Sequence, residues 1–264
     1  MPNLIKSDQF FNTHHDEVQL LELDKNKVAY FTTPYAEINQ DSIGYFHDPD
    51  NQTTILLLAD GMGGHSEGEK ASKAVIQGIL NELKSAKEVG PIASIIEAID
   101  AVHKKIQRNW DDAGTTLSVA EVGEKTVRFY SIGDSPALLL SSTGEVLYQS
   151  NLHSPKDFAL KSGLFAEKTI MQKEQDHFVS NVVGLDDYFV EVSPSLKISK
   201  GDVVMIASDG MFSKNFTYEF VLPNGNFEET LSAMLEQTAL KSNKRHEELL
   251  MILVFFFSNA KLLG

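Results

Sequence analysis

The feature that most constrains the fold is an apolar run that ends in an aspartate and a glycine-rich turn. Residues 55–59 are four bulky aliphatic side chains and an alanine, which is typical of a strand buried on both faces. Asp60 follows, and three of the next four residues are glycine. Glycine permits positive φ angles and a close approach of the backbone to a ligand. The segment therefore predicts a buried strand that delivers a carboxylate to a tight turn, although an ordinary strand-to-helix turn can have the same sequence.

A second segment repeats this plan later in the chain. Residues 203–207 are apolar, and Ser208-Asp209-Gly210-Met211 follows them. Two buried strands that both end in Asp-Gly can place Asp60 and Asp209 side by side. Such carboxylates repel each other and lose hydration, so they need a cation between them. Magnesium and manganese ions favour oxygen ligands. The repeat therefore predicts a centre of two divalent metal ions.

The apolar periodicity predicts an α+β fold in which helices lie on the outer faces of antiparallel sheets. Residues 67–83 and 92–110 carry helical apolar stripes, and the short link between them predicts an antiparallel pair. A third helix is expected at 227–240, and residues 150–183 show little regular periodicity. The predicted strands cover residues 18–23, 28–31, 43–46, 55–59, 117–122, 126–131, 137–140, 145–148, 188–192, 203–207 and 249–257.

Composition excludes several classes of function. A net charge of −14 argues against nucleic acid as a partner, because phosphate backbones need a basic face. The chain has no cysteine, which excludes disulfides and zinc-thiolate sites. Its polar residues 1–17 carry no apolar signal segment, and no stretch is long enough to span a membrane. We therefore expect a cytoplasmic, soluble monomer with no membrane partner, and the 264 residues show no domain boundary.

Five motifs together resemble a known family. Asp60-Gly61-Met62-Gly63-Gly64-His65, with Gly68-Glu69 after it, is similar to the signature of bacterial metal-dependent serine/threonine protein phosphatases of type 2C. The other motifs occur in the family's order and are Asn39-Gln40-Asp41-Ser42, Gly114-Thr115-Thr116, Gly133-Asp134-Ser135 and Ser208-Asp209-Gly210. The resemblance extends over about residues 28 to 257. It implies a four-layer sandwich, with two central antiparallel β-sheets flanked by helices, as a single catalytic domain over residues 1–264.

The resemblance also implies a reaction and its metal ligands. The family hydrolyses phosphoserine and phosphothreonine on proteins by a metal-activated water, using two or three manganese or magnesium ions. Asp60 would bridge two ions, the Gly61 carbonyl would be a further ligand, and Asp209 would hold the first ion. Asp41 matches the acidic residue near the second ion, and Asp134 matches the residue tied to a third. For Asp134, a structural role in a turn is the alternative.

One ligand differs from the family pattern. The family places an aspartate just before the last strand, and this chain has Glu247 there, followed by Glu248. Glutamate offers the same carboxylate on a stem that is one methylene longer, so it can bind a metal ion with altered geometry. The alternative is a solvated charge beside Lys244 and Arg245.

A histidine is the candidate proton donor. Eukaryotic members of the family place a histidine directly after Asp-Gly as a proposed general acid, where this chain has Met62. His65 lies three residues further on, as in bacterial relatives. An imidazole titrates near neutrality and can protonate the leaving alkoxide. An orienting or structural role for His65 is the alternative.

Two other departures leave a second class of function open. The arginine that many members use to contact substrate phosphate is Ala36 here, and the family's Thr-x-Asp-His-Ser motif has Leu152 in place of its aspartate. Together with Glu247 these changes favour a pseudophosphatase, which is a binding or regulatory module, whereas the four retained aspartates together argue against it. A third option is another two-metal phosphoryl enzyme, such as a nucleotide phosphodiesterase. For an active enzyme, the expected partners are a phosphorylated protein and a cognate serine/threonine kinase.

Overall fold

Two antiparallel sheets face each other, and a helix pair covers the outer face of one of them. The computed structural model describes residues 6–11, 15–23, 26–33, 39–62, 67–85, 91–110, 113–163, 178–185, 187–209 and 249–256. The expected α+β architecture with antiparallel sheets is confirmed in this part of the chain. The predicted helix at 227–240 lies outside the described residues.

The first sheet carries most of the candidate site. Its strands, in spatial order, are β1 (Lys6–Phe11), β4 (Asp41–Asp48), β5 (Thr53–Asp60), β6 (Leu117–Val122), β7 (Thr126–Ile132) and β10 (Glu191–Val192), and β11 (Leu196–Lys197) also pairs with β7. The second sheet has the order β2 (His15–Leu23), β3 (Asn26–Thr33), β13 (Leu249–Phe256), β12 (Val203–Ala207), β8 (Ala137–Leu140) and β9 (Val146–Gln149).

Strand β5 contributes to two separate hydrophobic cores. Ile55, Leu57 and Ala59 pack into the core beneath the helices, whereas Leu56 and Leu58 pack into the core between the sheets. This alternation follows from the two-residue repeat of a strand. Burial of each leucine contributes roughly 1.5–3 kcal/mol to stability. The strand is buried on both faces, as its continuous apolar sequence predicts.

The helix pair begins directly after the glycine-rich segment. Helix α1 (Gly68–Ser85) packs on β4 and β5, and helix α2 (Pro91–Asn109) packs on α1. Their apolar stripes are buried in the first core, which confirms the helical periodicity. No helix among the described residues combines the length and the apolar character that a bilayer crossing requires.

The structure differs from the sequence prediction in four elements. Strand β1 lies in the polar N-terminal segment, where it pairs with β4 at the sheet edge. Helix α3 (Pro155–Ser162) lies within the stretch expected to lack regular structure, and Ser154 and Pro155 stand at its start. The strand expected at 188–192 is reduced to β10, and β11 was not predicted. All four are short or polar, so apolar periodicity gives little signal for them.

Candidate metal centre

Four aspartates converge at one end of the sandwich. Asp41 begins β4, Asp60 ends β5, and these two residues are paired across the antiparallel strands. Asp134 follows β7, and Asp209 follows β12. Charge interactions with Asp41, Asp209 and Asp134 all act on the Asp60 carboxyl. The structure therefore brings together the four aspartates among the five carboxylates that the sequence indicates as metal ligands.

The two Asp-Gly strands face each other instead of lying side by side. Strand β5 belongs to the first sheet, whereas β12 belongs to the second. A contact between the sheets joins their ends, because the Ser208 hydroxyl donates to Oδ2 of Asp41 over 3.4 Å. The sequence does not predict this arrangement, since a strand's sequence does not specify its sheet. Asp60 and Asp209 still meet at one end of the fold.

Burial and mutual repulsion raise the pKa values of two of these carboxyls. The pKa of Asp60 lies well above its ordinary value because of burial, the neighbouring aspartates and a side-chain hydrogen bond with Asp41. Burial, followed by the charge of Asp209, raises the pKa of Asp134 to about 7. The cluster thus carries more negative charge than its surroundings stabilise. A bound divalent cation would remove that imbalance.

Two threonines hold the backbone of Asp60. The Asp60 amide donates to Oγ1 of Thr116 over 3.1 Å, and the Asp60 carbonyl accepts from the Thr116 amide at 2.9 Å. The Thr115 hydroxyl donates to the same carbonyl at 2.8 Å. These contacts satisfy the backbone polar groups of Asp60 and fix the end of β5 against the start of β6. Both threonines belong to the Gly114-Thr115-Thr116 motif, but nothing in the sequence indicates these contacts.

The glycines of the turn are required by close packing. A Cβ atom on Gly61 would lie 2.5 Å from the Gly68 carbonyl oxygen and 2.7 Å from that of Gln40. A Cβ atom on Gly68 would lie 2.8 Å from the Met62 carbonyl oxygen. The first residue of α1 therefore rests directly on the Asp60-Gly61 turn. No side chain larger than hydrogen fits at either glycine without movement of the backbone.

Gln40 closes this turn from the other side. Its carbonyl accepts from the Gly61 amide at 3.3 Å. With its side-chain nitrogen facing the turn, Gln40 also donates to the carbonyls of Gly61 at 3.1 Å and Met62 at 3.2 Å. In the sequence, Gln40 stands out only as part of the Asn39-Gln40-Asp41-Ser42 motif. Its contacts identify it as a clamp on the carbonyl that the resemblance assigns to the metal centre.

The chemistry of the donor set fits a divalent cation. The candidates are carboxylate and backbone oxygens, which suit manganese and magnesium. Among the described residues, no three His, Asp or Glu side chains are already placed so that they could hold one metal ion together. Two candidates, His65 and Glu247, lie outside the described residues. The fit therefore rests on the oxygen donors and on the excess negative charge of the aspartates.

A comparison with known proteins places the chain in a family. The protein phosphatase 2C family matches residues 36–253, which include Asp41, Asp60, Asp134 and Asp209. This chain is a member of the protein phosphatase 2C family. The serine/threonine phosphatase stp of Listeria monocytogenes is 26% identical to this phosphatase over 184 residues, which cover 66% of the chain and 72% of that protein. The predicted enzyme class, a protein serine/threonine phosphatase, is thereby confirmed.

Solved structures show the same fold. The serine/threonine phosphatase Stp1 from Staphylococcus aureus superposes with a TM-score of 0.74 at 21% identity, covering 92% of this chain and 98% of that one. The catalytic domain of the phosphatase PstP, solved in complex with two manganese ions, superposes with a TM-score of 0.67 at 20% identity, covering 89% and 99%. The architecture predicted from the motif order is the architecture of these phosphatases.

Proposed function

We propose that this phosphatase hydrolyses phosphoserine and phosphothreonine on proteins in a reaction that depends on manganese or magnesium ions. The observation that carries the proposal is the convergence of Asp41, Asp60, Asp134 and Asp209, in which the carboxyl pKa values of Asp60 and Asp134 are raised. Similarity to named serine/threonine phosphatases supports the substrate class. The two manganese ions of the PstP catalytic domain support the choice of metal.

The proposed ligands divide among two or three ions. Asp60 and the Gly61 carbonyl would be ligands of the first two ions, and Asp209 and Glu247 would also hold the first. Asp41 would hold the second ion through water, and Asp134 would hold a third. Divalent ions in such a centre neutralise the phosphate, lower the pKa of a water molecule and orient it for attack.

The remaining residues hold these ligands in place. Thr115 and Thr116 fix the backbone of Asp60, so its carboxylate is attached to a rigid strand end. Gln40 fixes the direction of the Gly61 carbonyl. The Ser208 hydroxyl orients the Asp41 carboxylate. Preorganisation of this kind lowers the reorganisation that a charged transition state demands.

We assign protonation of the leaving serine or threonine oxygen to His65. An imidazole can donate this proton near neutral pH. The loss of the phosphate-binding arginine at position 36 should weaken binding of small phosphate esters more than it slows their turnover, because an arginine clamp mainly anchors the phosphate dianion. A protein substrate recovers affinity through contacts elsewhere on the surface.

The alternative functions receive no support from the relatives. The proteins compared above are named as phosphatases, and none is named as a binding module or a phosphodiesterase. A cognate serine/threonine kinase, a monomeric state, a cytoplasmic location and the single domain over residues 1–264 stay predictions.

Hydrolysis of an aryl phosphate and of a phosphothreonine peptide tests the proposal. We expect turnover with manganese or magnesium ions and none with a chelator. Asp60→Asn should lower turnover at least roughly 1,000-fold, because it removes several kcal/mol of charge stabilisation from the metal centre. The matched control is Asp100→Asn, which changes an exposed aspartate paired with Lys104 on α2 and should leave turnover unchanged.

A different outcome would favour the pseudophosphatase. If the wild type turns over neither substrate with either metal ion, and Asp60→Asn behaves identically, the proposed reaction is wrong. Equal turnover with and without the chelator would instead contradict the metal dependence.

A further inference from the structure

A buried polar network lies beside the turn that carries Asp134. His153 is 7% exposed and contacts this turn twice. Its amide donates to the Gly133 carbonyl at 3.0 Å, and the Gly133 amide donates to its Nδ1 atom, also at 3.0 Å. Both backbone polar groups of the residue before Asp134 are thus bonded to one histidine. Gly133 has a φ of +97°, a conformation that other residues rarely adopt.

The contacts of the imidazole define its tautomer. Nδ1 faces the Gly133 amide, and Nδ2 of Asn181 also donates to it at 2.8 Å. The Asn181 amide is itself fixed, because it donates to the Phe189 carbonyl and accepts from the Phe189 amide. Two donors at Nδ1 require that atom to be unprotonated. The ring proton therefore lies on Nε2, which donates to Oε2 of Glu191 at 3.1 Å.

Glu191 is held as the acceptor for this proton. The Asn151 side-chain amide donates to both Glu191 carboxylate oxygens at 3.0 and 3.1 Å. Burial raises the pKa of Glu191, but hydrogen bonds from His153 and Asn151 outweigh burial and leave the pKa below its ordinary value. An ionised Glu191 selects the tautomer in which Nδ1 accepts. The donor and the acceptor of each hydrogen bond that links Asn151, Glu191, His153 and Gly133 are thereby defined.

We propose that His153 is a positioning residue that fixes the Gly133 turn and so sets the place of the Asp134 carboxylate in the metal centre. Glu191 acts one step further out by holding the required tautomer. This inference rests on the proposed function, because it gives Asp134 a role as a metal ligand. Residues that orient metal ligands typically affect metal affinity strongly, although they do not touch the ion. None of the motifs read from the sequence assigned this role to His153 or Glu191.

Two substitutions of His153 separate the two sides of the ring. In His153→Asn, the side-chain oxygen can occupy the place of Nδ1 and accept from the Gly133 amide. In His153→Gln, the longer amide reaches toward Glu191 and offers no acceptor at the place of Nδ1. If His153 positions the turn, the asparagine variant should bind manganese like the wild type, and the glutamine variant should bind it more weakly. A role in filling space does not predict this difference.

A titration of the full chain with manganese tests the inference. Electron paramagnetic resonance measures the concentration of the free ion at each step. Asp134→Asn identifies the site that depends on Asp134. We expect His153→Gln to raise the dissociation constant of that site roughly 10- to 100-fold. The His153→Asn variant should keep the wild-type dissociation constant at that site. The double variant His153→Gln/Asp134→Asn should bind no more weakly than Asp134→Asn alone, because the histidine acts through the aspartate.

Several results would overturn the inference. One such result is wild-type manganese affinity in His153→Gln. Another is a double variant that binds manganese more weakly than Asp134→Asn alone by the full effect of His153→Gln. If His153→Gln fails to fold, Glu191→Leu replaces it, since loss of the acceptor frees the other tautomer and should weaken the same site. Unchanged binding in Glu191→Leu would then contradict the proposal.

The same titrations distinguish this inference from the proposed function. If neither Asp60→Asn nor Asp134→Asn alters manganese binding, the proposed metal centre is wrong. If Asp60→Asn weakens binding and Asp134→Asn does not, the metal centre stands and the positioning role of His153 fails.

Discussion

The hydroxyl oxygen of Thr116 lies 2.7 Å from the hydroxyl oxygen of Ser135. Thr116 also accepts from the Asp60 amide, and Ser135 follows Asp134 in the chain. This one contact therefore joins the two turns that carry Asp60 and Asp134. Both hydroxyl-bearing residues are at most 2% exposed, so water does not compete for their hydrogen bonds.

Removal of the Thr116 hydroxyl should weaken both the fold and the metal centre. Thr116→Val keeps the shape of the side chain but leaves the Asp60 amide without its acceptor. An unsatisfied buried group of this kind costs about 1–3 kcal/mol in the free energy of unfolding. We also expect weaker manganese binding, because the end of β5 loses a contact. Chemical denaturation and a manganese titration measure the two effects.

Thr54→Val is the matched control for that substitution. The Thr54 hydroxyl is 2.9 Å from Nδ1 of His47 and is buried at the opposite end of β5. Its loss should reduce stability without altering manganese affinity. Equal effects of the two variants on manganese binding would show that the Thr116 hydroxyl has no special role at the site.

Gln40→Glu should destabilise the metal-free protein. The glutamine side chain donates to the carbonyls of Gly61 and Met62, whereas an ionised glutamate cannot donate and places negative charge beside both. We expect a loss of roughly 1–3 kcal/mol in unfolding free energy with a chelator present. Manganese should restore part of this loss if the new carboxylate reaches an ion.

The control for this change is Gln107→Glu. Gln107 donates one hydrogen bond to the Leu185 carbonyl over 3.2 Å at an exposed position. Solvent replaces that bond, so the expected effect is small and independent of manganese. A Gln40→Glu variant as stable as Gln107→Glu in the chelator would contradict the clamp assigned to Gln40.

The stability of the metal-free protein should fall as the pH rises toward neutrality. Burial and Asp209 raise the pKa of Asp134 from 3.8 to about 7, so the folded chain retains a proton that the unfolded chain has lost. The contribution of this group to stability is full below the unfolded pKa of 3.8 and is lost as the pH rises through about 7. Asp60 acts in the same direction.

Thermal unfolding in a chelator across this pH range measures the effect. The midpoint should fall with rising pH in the wild type and fall less steeply in Asp134→Asn. With saturating manganese the trend should reverse, because the ion binds ionised carboxylates and competes with protons. An identical pH dependence in the wild type and in Asp134→Asn would contradict the raised pKa.

Substitutions of Glu247 test the ligand that differs from the family pattern. Glu247→Gln should weaken manganese binding and turnover together, because it removes a charged oxygen donor. Glu247→Asp should retain turnover or raise it, since it restores the shorter side chain of the family. Unchanged metal dependence in Glu247→Gln would mean that another residue before the last strand is the ligand.

The sequence predicted the strand ends of the site because their signal is local. The apolar runs before Asp60 and Asp209 mark two buried strands, and the observed bounds of β5 and β12 agree with them. The assignment of these strands to facing sheets could not be predicted, since it depends on contacts between distant segments. The repeated Asp-Gly pattern showed that two carboxylates belong together, but not how they meet.

The hydrogen bonds around the ligands were not predictable for a related reason. Thr116, Ser135 and His153 act through specific partners that the fold brings together from different parts of the chain. No periodicity marks such a residue, because serine, threonine and histidine also occur in ordinary turns that have no such role. Helix α3 was missed because eight residues give too short a periodic signal.

Strand β5 also determines where the chain can change in length. Its residues alternate between two cores, and Asp60 is its last residue. One residue inserted or deleted within this strand would exchange the side chains of the two cores and turn the carboxylate away from its partners. The turn between β4 and β5 lies at the other end of the hairpin, where extra residues leave the register intact. Affinity tags or natural insertions are therefore compatible with residues 49–52 and incompatible with residues 55–60.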